Sequence, residues 1–258
     1  MPQYNAANLW SERARRFPGG RDPNHRTRML ARLAHVPQKA LPRAGMRCLD
    51  IGAGTGVFAL YAADEGADVA ATDVSEEMLA QLADDDPERR VTTFCANWRE
   101  IDPEVHGWNG RFDLVLAQMM PGVSTAADFR RMEACSRGWC VYIGWGRKRQ
   151  DPWLEAVFAA HGTTLHVPPG TSNAVEQLTG MGRNVEPVWI EEVWQRERPV
   201  DTAVLDAISH LRMRELQPDR ARIEAMARER AVNGILHGGS EVEIGVLSWQ
   251  VGDQAAPS

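Results

Sequence analysis

The chain has 258 residues, 43% of them hydrophobic and 25% charged, which suffices for one large α/β domain or one domain with a sizeable insertion. A formal net charge of −6 argues against a protein that lives on nucleic acid, because neutralising phosphates needs a basic face. The polar start lacks a secretory leader, no apolar run nears the roughly 20 residues of a membrane span, and the four cysteines (Cys48, Cys95, Cys135, Cys140) form no CxxC pair. A cytoplasmic, reducing setting is expected.

Leu9, Trp10, Arg13 and Phe17 recur at helical spacing and predict a helix over 4–17, ended by Pro18-Gly19-Gly20. A second helix is expected at about 24–36, with Met29, Leu30, Leu33 and Val36 on one face. From Met46 the pattern changes. Met46 to Ile51 reads as an apolar strand, a glycine turn follows, and Val57 to Glu65 is helical until Gly66. Asp68 to Thr72 is the next strand, ending on Asp73. Ser75 then caps a helix over about 76–84, whose first turn holds Glu76 and Glu77, where the dipole favours acids. Further strands are expected at Val91 to Cys95, Phe112 to Ala117 and Trp139 to Gly144, with a helix over 125–137 between the last two. Cys48 and Cys95 read as buried strand residues. Strands and helices alternating at this spacing predict an α/β, doubly wound, mostly parallel sheet.

After a helix near 151–161 the rhythm breaks. Residues 186–197 alternate in part and read as a strand, and helices are expected at about 201–215 and 218–232. Gly234 and Gly238-Gly239 punctuate the way to a seventh strand over 241–251, and residues 254–258 are expected to be disordered. A helical pair between two late strands is an insertion, read here as a cap or partner surface.

Gly52, Gly54 and Gly56 are spaced G-x-G-x-G between a strand and a helix, where absent Cβ atoms let backbone approach a ligand closely. Dinucleotide enzymes use a similar turn with G-x-G-x-x-G spacing, and a pyrophosphate there seeks an anion site at the helix N-terminus. The strand before this turn ends on Asp50, which would repel a pyrophosphate and welcome an ammonium and a sulfonium. The charge pattern therefore prefers S-adenosylmethionine (SAM) over NAD.

Residues 48–56, Cys-Leu-Asp-Ile-Gly-Ala-Gly-Thr-Gly, resemble motif I of the class I SAM-dependent methyltransferases, and the likeness continues over most of 46–145. The resemblance implies a seven-stranded Rossmann-like sheet with SAM as cofactor and S-adenosylhomocysteine (SAH) as product. It places Asp50, Gly52, Ala53, Gly54 and Gly56 along the cofactor, and it sets Asp73, 17 residues after Gly56, on the ribose hydroxyls, where two carboxylate oxygens suit a vicinal diol. Val74-Ser75-Glu76-Glu77-Met78-Leu79 resembles the family's D-x-S-x-x-M-L run, so Val74 and Met78 would flank the adenine. Asn97 stands where the family usually has an acid for the adenine amino group, and Trp98 would lie beside the adenine plane. Trp10-Ser11-Glu12-Arg13-Ala14-Arg15-Arg16-Phe17 resembles a W-x-x-R-A-x-x-F helix that covers the cofactor, with Arg13 toward its carboxylate. On this reading residues 1–45 form a helical lid, 46–165 the SAM-binding core, and 166–258 the C-terminal strands with the inserted helical pair, all within one domain.

Ligands bind beyond the carboxyl ends of strands in such sheets. The fourth strand delivers Gln118-Met119-Met120-Pro121 there, and the fifth delivers Gly144-Trp145-Gly146-Arg147. Gln118 is expected beside the sulfonium, with Met119, Met120 and Trp145 lining the acceptor pocket and Tyr4 within reach of it. The segment lacks the (D/N)-P-P-(Y/F) run of enzymes that methylate nucleobase amines or amides. In-line transfer from a sulfonium needs positioning above all, and a base only for a protonated acceptor. His161 reads as a helix-end cap, and His166, His210 and His237 show no metal-ligand spacing, so no metal site is expected. A small-molecule acceptor is the expectation, with no membrane or nucleic-acid partner; the oligomeric state stays open, a homodimer being one option. Three other readings remain. One is a SAM- or SAH-binding regulator without turnover. Another is an RNA or protein methyltransferase docking through the arginine-rich segment 212–230, although acids interleave there. The last is an aminopropyl-type transferase, disfavoured by missing paired aspartates near the fourth strand.

Overall fold

The structure is a computed structural model and describes residues 6–252. The expectations for Tyr4 and for 254–258 lie outside the described residues. Two helices, α1 (Ala6–Ala14) and α2 (Pro23–Leu33), precede the sheet. Then come β1 (Arg47–Ile51), α3 (Val57–Asp64), β2 (Asp68–Asp73), α4 (Glu76–Asp85), β3 (Val91–Cys95), β4 (Phe112–Gln118), α5 (Ala126–Cys135) and β5 (Ser136–Gln150). The chain closes with α6 (Pro152–Ala160), α7 (Thr171–Gly180), β6 (Val188–Pro199), α8 (Val200–Arg212), α9 (Arg220–Arg230) and β7 (Ile235–Gln250). The seven strands form one sheet in the order β3-β2-β1-β4-β5-β7-β6. Pairs from β3 through β5 are parallel, whereas β7 runs antiparallel to both β5 and β6.

Strand alternation sorts the apolar residues onto two faces. Cys48, Val69, Ala71, Leu116 and Ile143 face α2, α3 and α4, while Leu49, Ile51, Val115, Ala117 and Tyr142 face α5 and α7. The buried central strands read as near-continuous apolar runs because both faces are covered. A third cluster packs Trp153, Leu154, Val157 and Phe158 of α6 against Ala203, Val204, Ala207 and Leu211 of α8 and Ile223 of α9. The inserted pair is thus anchored on α6, and α8 also touches α1. No helix among the described residues is long and apolar enough to cross a membrane.

The parallel core follows the expected boundaries closely, and four local readings are corrected. Cys95 is exposed, because β3 is an edge strand with its outer positions open to water, whereas Cys48, Cys135 and Cys140 are buried. Helix α7 was not foreseen: Gly170 gives its N-terminus no side-chain cap, and Leu178 is its only large apolar residue that is fully buried, beside Thr171 and Ala174. Gly238 and Gly239 lie inside β7, which is longer than expected. A Cβ on Gly239 would come 2.6 Å from the Trp194 carbonyl oxygen, so the glycine permits close strand approach rather than a turn. The first helix ends at Ala14 rather than at 17, with Arg16 and Phe17 closing a turn after it, and its expected start at 4 lies outside the described residues.

Candidate cofactor and acceptor site

Three elements converge at the carboxyl edge of β1, β2 and β4. The turn after β1 is held by the Gly52 and Ala53 amides, which both donate to the Thr72 carbonyl of β2, at 2.7 and 2.9 Å. Gly52 has φ +69°, and a Cβ there would come 2.1 Å from Met120 Cγ. Only glycine fits this position, on both backbone and steric grounds. Gly54 also has positive φ, with no atom within 4 Å of where its Cβ would stand, so this part of the turn faces open space. The turn is braced from the other side by the segment after α1: the Thr55 hydroxyl donates to the Pro18 carbonyl at 2.7 Å.

Asp73 ends β2 with both carboxylate oxygens in use. Oδ2 accepts from the Gly54 amide and Oδ1 from the Ser75 amide, each at 2.9 Å. Desolvation raises its pKa above the usual carboxylate range, opposed by these amides. Asp50 lies deeper, 3% exposed, with Oδ2 accepting from the Ala59 amide in the first turn of α3 at 3.2 Å. Burial pushes its pKa up to about 7, and nearby Asp73 adds to the rise. The sequence suggested a ligand-facing role for Asp50; the structure adds a local one, an acid satisfying an orphan amide where the helix dipole is positive.

Around this centre, Val74 is half-buried and Met78 buried, next to Ser75, whose hydroxyl caps α4 through the Met78 amide at 3.2 Å. Asn97 is exposed and caps the short turn Trp98–Glu100: its Oδ1 accepts from the Arg99 amide at 3.2 Å and its Nδ2 donates to Glu100. Trp98 is 1% exposed, packed on the α5 face of the sheet, with Arg131 over its ring and its Nε1 without a partner. Gln118 ends β4 half-buried, and its Oε1 has no partner either. Met119 has φ +52°, rare for a residue with a side chain, and its amide is fixed by the Ile143 carbonyl at 2.7 Å. This held kink turns the chain so that Met120 lies over Gly52.

Helix α1 packs on α4 and α8, where Ser11 and Ser75 are hydrogen-bonded at 3.1 Å and Arg212 pairs with Glu12 at 3.1 Å. Arg13 lies over the Trp10 ring at 5.3 Å, and its Nη1 is buried without a partner. Trp145 of β5 stands 5.4 Å from Trp194 of β6. His210, noted in the sequence only for its lack of metal-ligand spacing, lies beside Arg13. Its Nδ1 bonds the Asp206 carbonyl at 2.8 Å, and burial with the charges of Arg13, Arg149 and Arg196 holds it neutral. His161, read as a dipole cap, is fixed at both ring nitrogens: one bonds the Val157 carbonyl at 2.7 Å and the other accepts from the Asp219 amide at 3.0 Å.

A sheet ordered 3-2-1-4-5-7-6 with one antiparallel strand near its edge, a glycine turn after its first strand and an acid ending its second is the arrangement of class I SAM-dependent methyltransferases, and the similarities to known proteins support that class for this chain. Its cofactor is SAM, and it is an enzyme of that class. Residues 48–137 match the family model described as a methyltransferase domain. A ubiquinone biosynthesis O-methyltransferase of Pectobacterium atrosepticum is 28% identical over 185 residues, covering 69% of this chain and 73% of that one. A 16S/23S rRNA (cytidine-2'-O)-methyltransferase, TlyA of Mycobacterium tuberculosis, is 44% identical over 81 residues, covering 31% of this chain and 29% of that protein. Among solved structures, a candidate methyltransferase of Bacillus halodurans superposes with a TM-score of 0.52 at 13% identity, covering 86% of this chain and 98% of that one, a likeness of fold.

Proposed function

We propose that this chain transfers the methyl group of SAM to a small-molecule acceptor in the cytoplasm. The observation that carries the reading is that α1 packs at the start of α4, just past the carboxyl end of β2, and meets the inserted α8, so helices flank this edge. Helices beside the transfer point suit a small acceptor and would limit water around it. The Pectobacterium relative, by its printed name an O-methyltransferase of ubiquinone biosynthesis, supports this and spans 69% of the chain. The rRNA methyltransferase match covers less than half as much of the chain.

On this reading the Asp73 carboxylate takes the ribose hydroxyls, and the Gly52, Ala53, Gly54 and Gly56 backbone lies along the cofactor. Val74, Met78, Asn97 and Trp98 are assigned to the adenine side, Gln118, Trp10 and Arg13 to the methionine side, and Met119, Met120 and Trp145 to the acceptor. The fit rests on the open space at Gly54, the carboxylate at the end of β2 and the unpartnered Oε1 of Gln118. Bound SAM supplies a methyl on a sulfonium, already activated for displacement. The protein's own part is to hold acceptor and methyl in line, a contribution of up to about 7–11 kcal/mol in well-oriented systems.

Incubation with methyl-labelled SAM and a cell extract, split into low-mass, RNA and protein fractions, tests the acceptor class. Label is expected in the low-mass fraction, and label confined to RNA or protein contradicts the proposal.

A further inference from the structure

The same edge gathers several arginines, of which only Arg13 is assigned to the cofactor. Alternation along β6 sets Trp194, Arg196 and Arg198 on one face. Arg149 joins them from β5, just past the register shift that follows Trp145, and Arg13 and Arg16 come from the α1 segment. Three guanidiniums lie over indole rings: Arg13 at 5.3 Å from Trp10, Arg149 at 4.8 Å from Trp145 and Arg196 at 5.5 Å from Trp194.

Negative charge is short here. Asp206 reaches Arg16 Nε at 3.7 Å and Arg198 Nη1 at 3.5 Å, long distances for ion pairs. Asp151 is engaged by the Leu154 amide at 3.0 Å and the Ser240 hydroxyl at 2.7 Å. Glu192 is taken by Arg32 through two bonds of 2.7 and 2.8 Å. Arg13, Arg149 and Arg196 have no carboxylate within 4.0 Å among the described residues, and Arg13 Nη1, Arg16 Nε and Arg198 Nε are buried without a hydrogen-bond partner. Burial and mutual repulsion depress the pKa values of Arg13, Arg149 and Arg196, that of Arg149 to about 10. Unpaired cations taken out of water are costly, and an anion among them removes much of that cost.

We infer that this cluster seats an oxyanion, a carboxylate or phosphate group carried by the methyl acceptor. The inference rests on the small-acceptor reading above and names the chemistry of that acceptor. A guanidinium stacked on indole keeps its donor edge planar and oriented, which suits paired contacts to a carboxylate or phosphate. Neutral His210, beside Arg13, Arg149 and Arg196, adds no further positive charge.

The experiment titrates inorganic phosphate, benzoate and neutral benzamide into the full chain, alone and saturated with SAH, following tryptophan fluorescence and heat. Benzoate or phosphate is expected to bind with SAH present, the one that binds showing which oxyanion the seat prefers, and benzamide is not. Arg149→Gln and Arg196→Gln are expected to weaken that binding about tenfold or more while leaving SAH affinity unchanged, and the Lys variants to retain part of it. Unchanged SAH affinity also shows that the variants fold. The inference is overturned if neither oxyanion binds, if benzamide binds as well as benzoate, or if the Gln variants match the wild type. It also falls if the oxyanions and SAH exclude each other and the Gln variants weaken SAH, since the anion is then the cofactor's own carboxylate. Phosphate binding without any SAH binding keeps the anion seat and removes the methyltransferase reading instead.

Discussion

Asp73 and Asp50 stand one behind the other at the glycine turn, and burial treats them differently. Asp73 holds two amides of its own loops, so its removal affects both the ribose contact and the turn. Asp73→Asn keeps the size of the side chain and removes the charge; it is expected to weaken SAH binding by well over tenfold in a folded protein, measured by calorimetry. An unchanged affinity would sink the ribose assignment.

Asp50 makes a pH prediction. Its pKa of about 7 in the cofactor-free fold means that a cationic ligand nearby must draw it into its charged form. Cofactor binding then releases a proton below pH 7, so SAM affinity is expected to rise with pH up to about 7 and level off above. Asp73, also raised, acts in the same sense. Without ligand the sign is opposite. The folded form holds a proton that the unfolded chain, with an Asp pKa of about 3.9, has lost, so stability falls from about pH 4 to about 7. Asp50→Asn is expected to flatten both profiles. Retention of the full pH dependence in that variant would move its origin elsewhere. Met120 offers a third test at this scale. Gly52→Ala drives a Cβ against Met120, so the added substitution Met120→Ala is expected to recover part of the lost stability, read as a double-mutant cycle in urea. Strict additivity would mean that the positive φ, not the contact, sets the cost.

At the scale of elements, one buried acid ties α5 to the far end of the sheet. Glu133 of α5 accepts from Arg183 at 2.8 and 2.9 Å and from the Trp249 indole of β7 at 2.8 Å. Glu133→Ala leaves a half-buried guanidinium without this acid and a buried indole N–H unpaired, and is expected to cost about 3–5 kcal/mol in chemical denaturation. A loss under about 1 kcal/mol would show that the charge finds other partners. The same elements explain what the sequence revealed and what it concealed. The strands β1, β2 and β4 are short apolar runs, β1 followed by Gly52, β2 ending on Asp73 and β4 on Gln118, and each was readable because both faces are buried. The β3 edge strand has the pattern of a half-exposed element, so Cys95 was misplaced inside. Helix α7 buries too few large residues to show a period.

At the scale of the whole molecule, most residues proposed for the cofactor lie close together in the chain and those proposed for the acceptor do not. Residues 50–56, 73–78 and 97–98 follow each other, so charge order at the glycine turn and a family resemblance could propose them together. The arginine cluster is assembled from positions near 13, 149 and 196, each of which reads alone as a solvated charge. It becomes visible only when the insertion folds back on the first helix. Those two halves also differ in what they bear on: the first concerns the cofactor, and the second the anionic acceptor inferred above.

The most direct test of the account is a calorimetric comparison of SAH and NAD on the full-length chain. The account predicts saturable binding of SAH and none of NAD, because a buried acid precedes the turn and a second acid ends the next strand. Tight binding of NAD without SAH would contradict it.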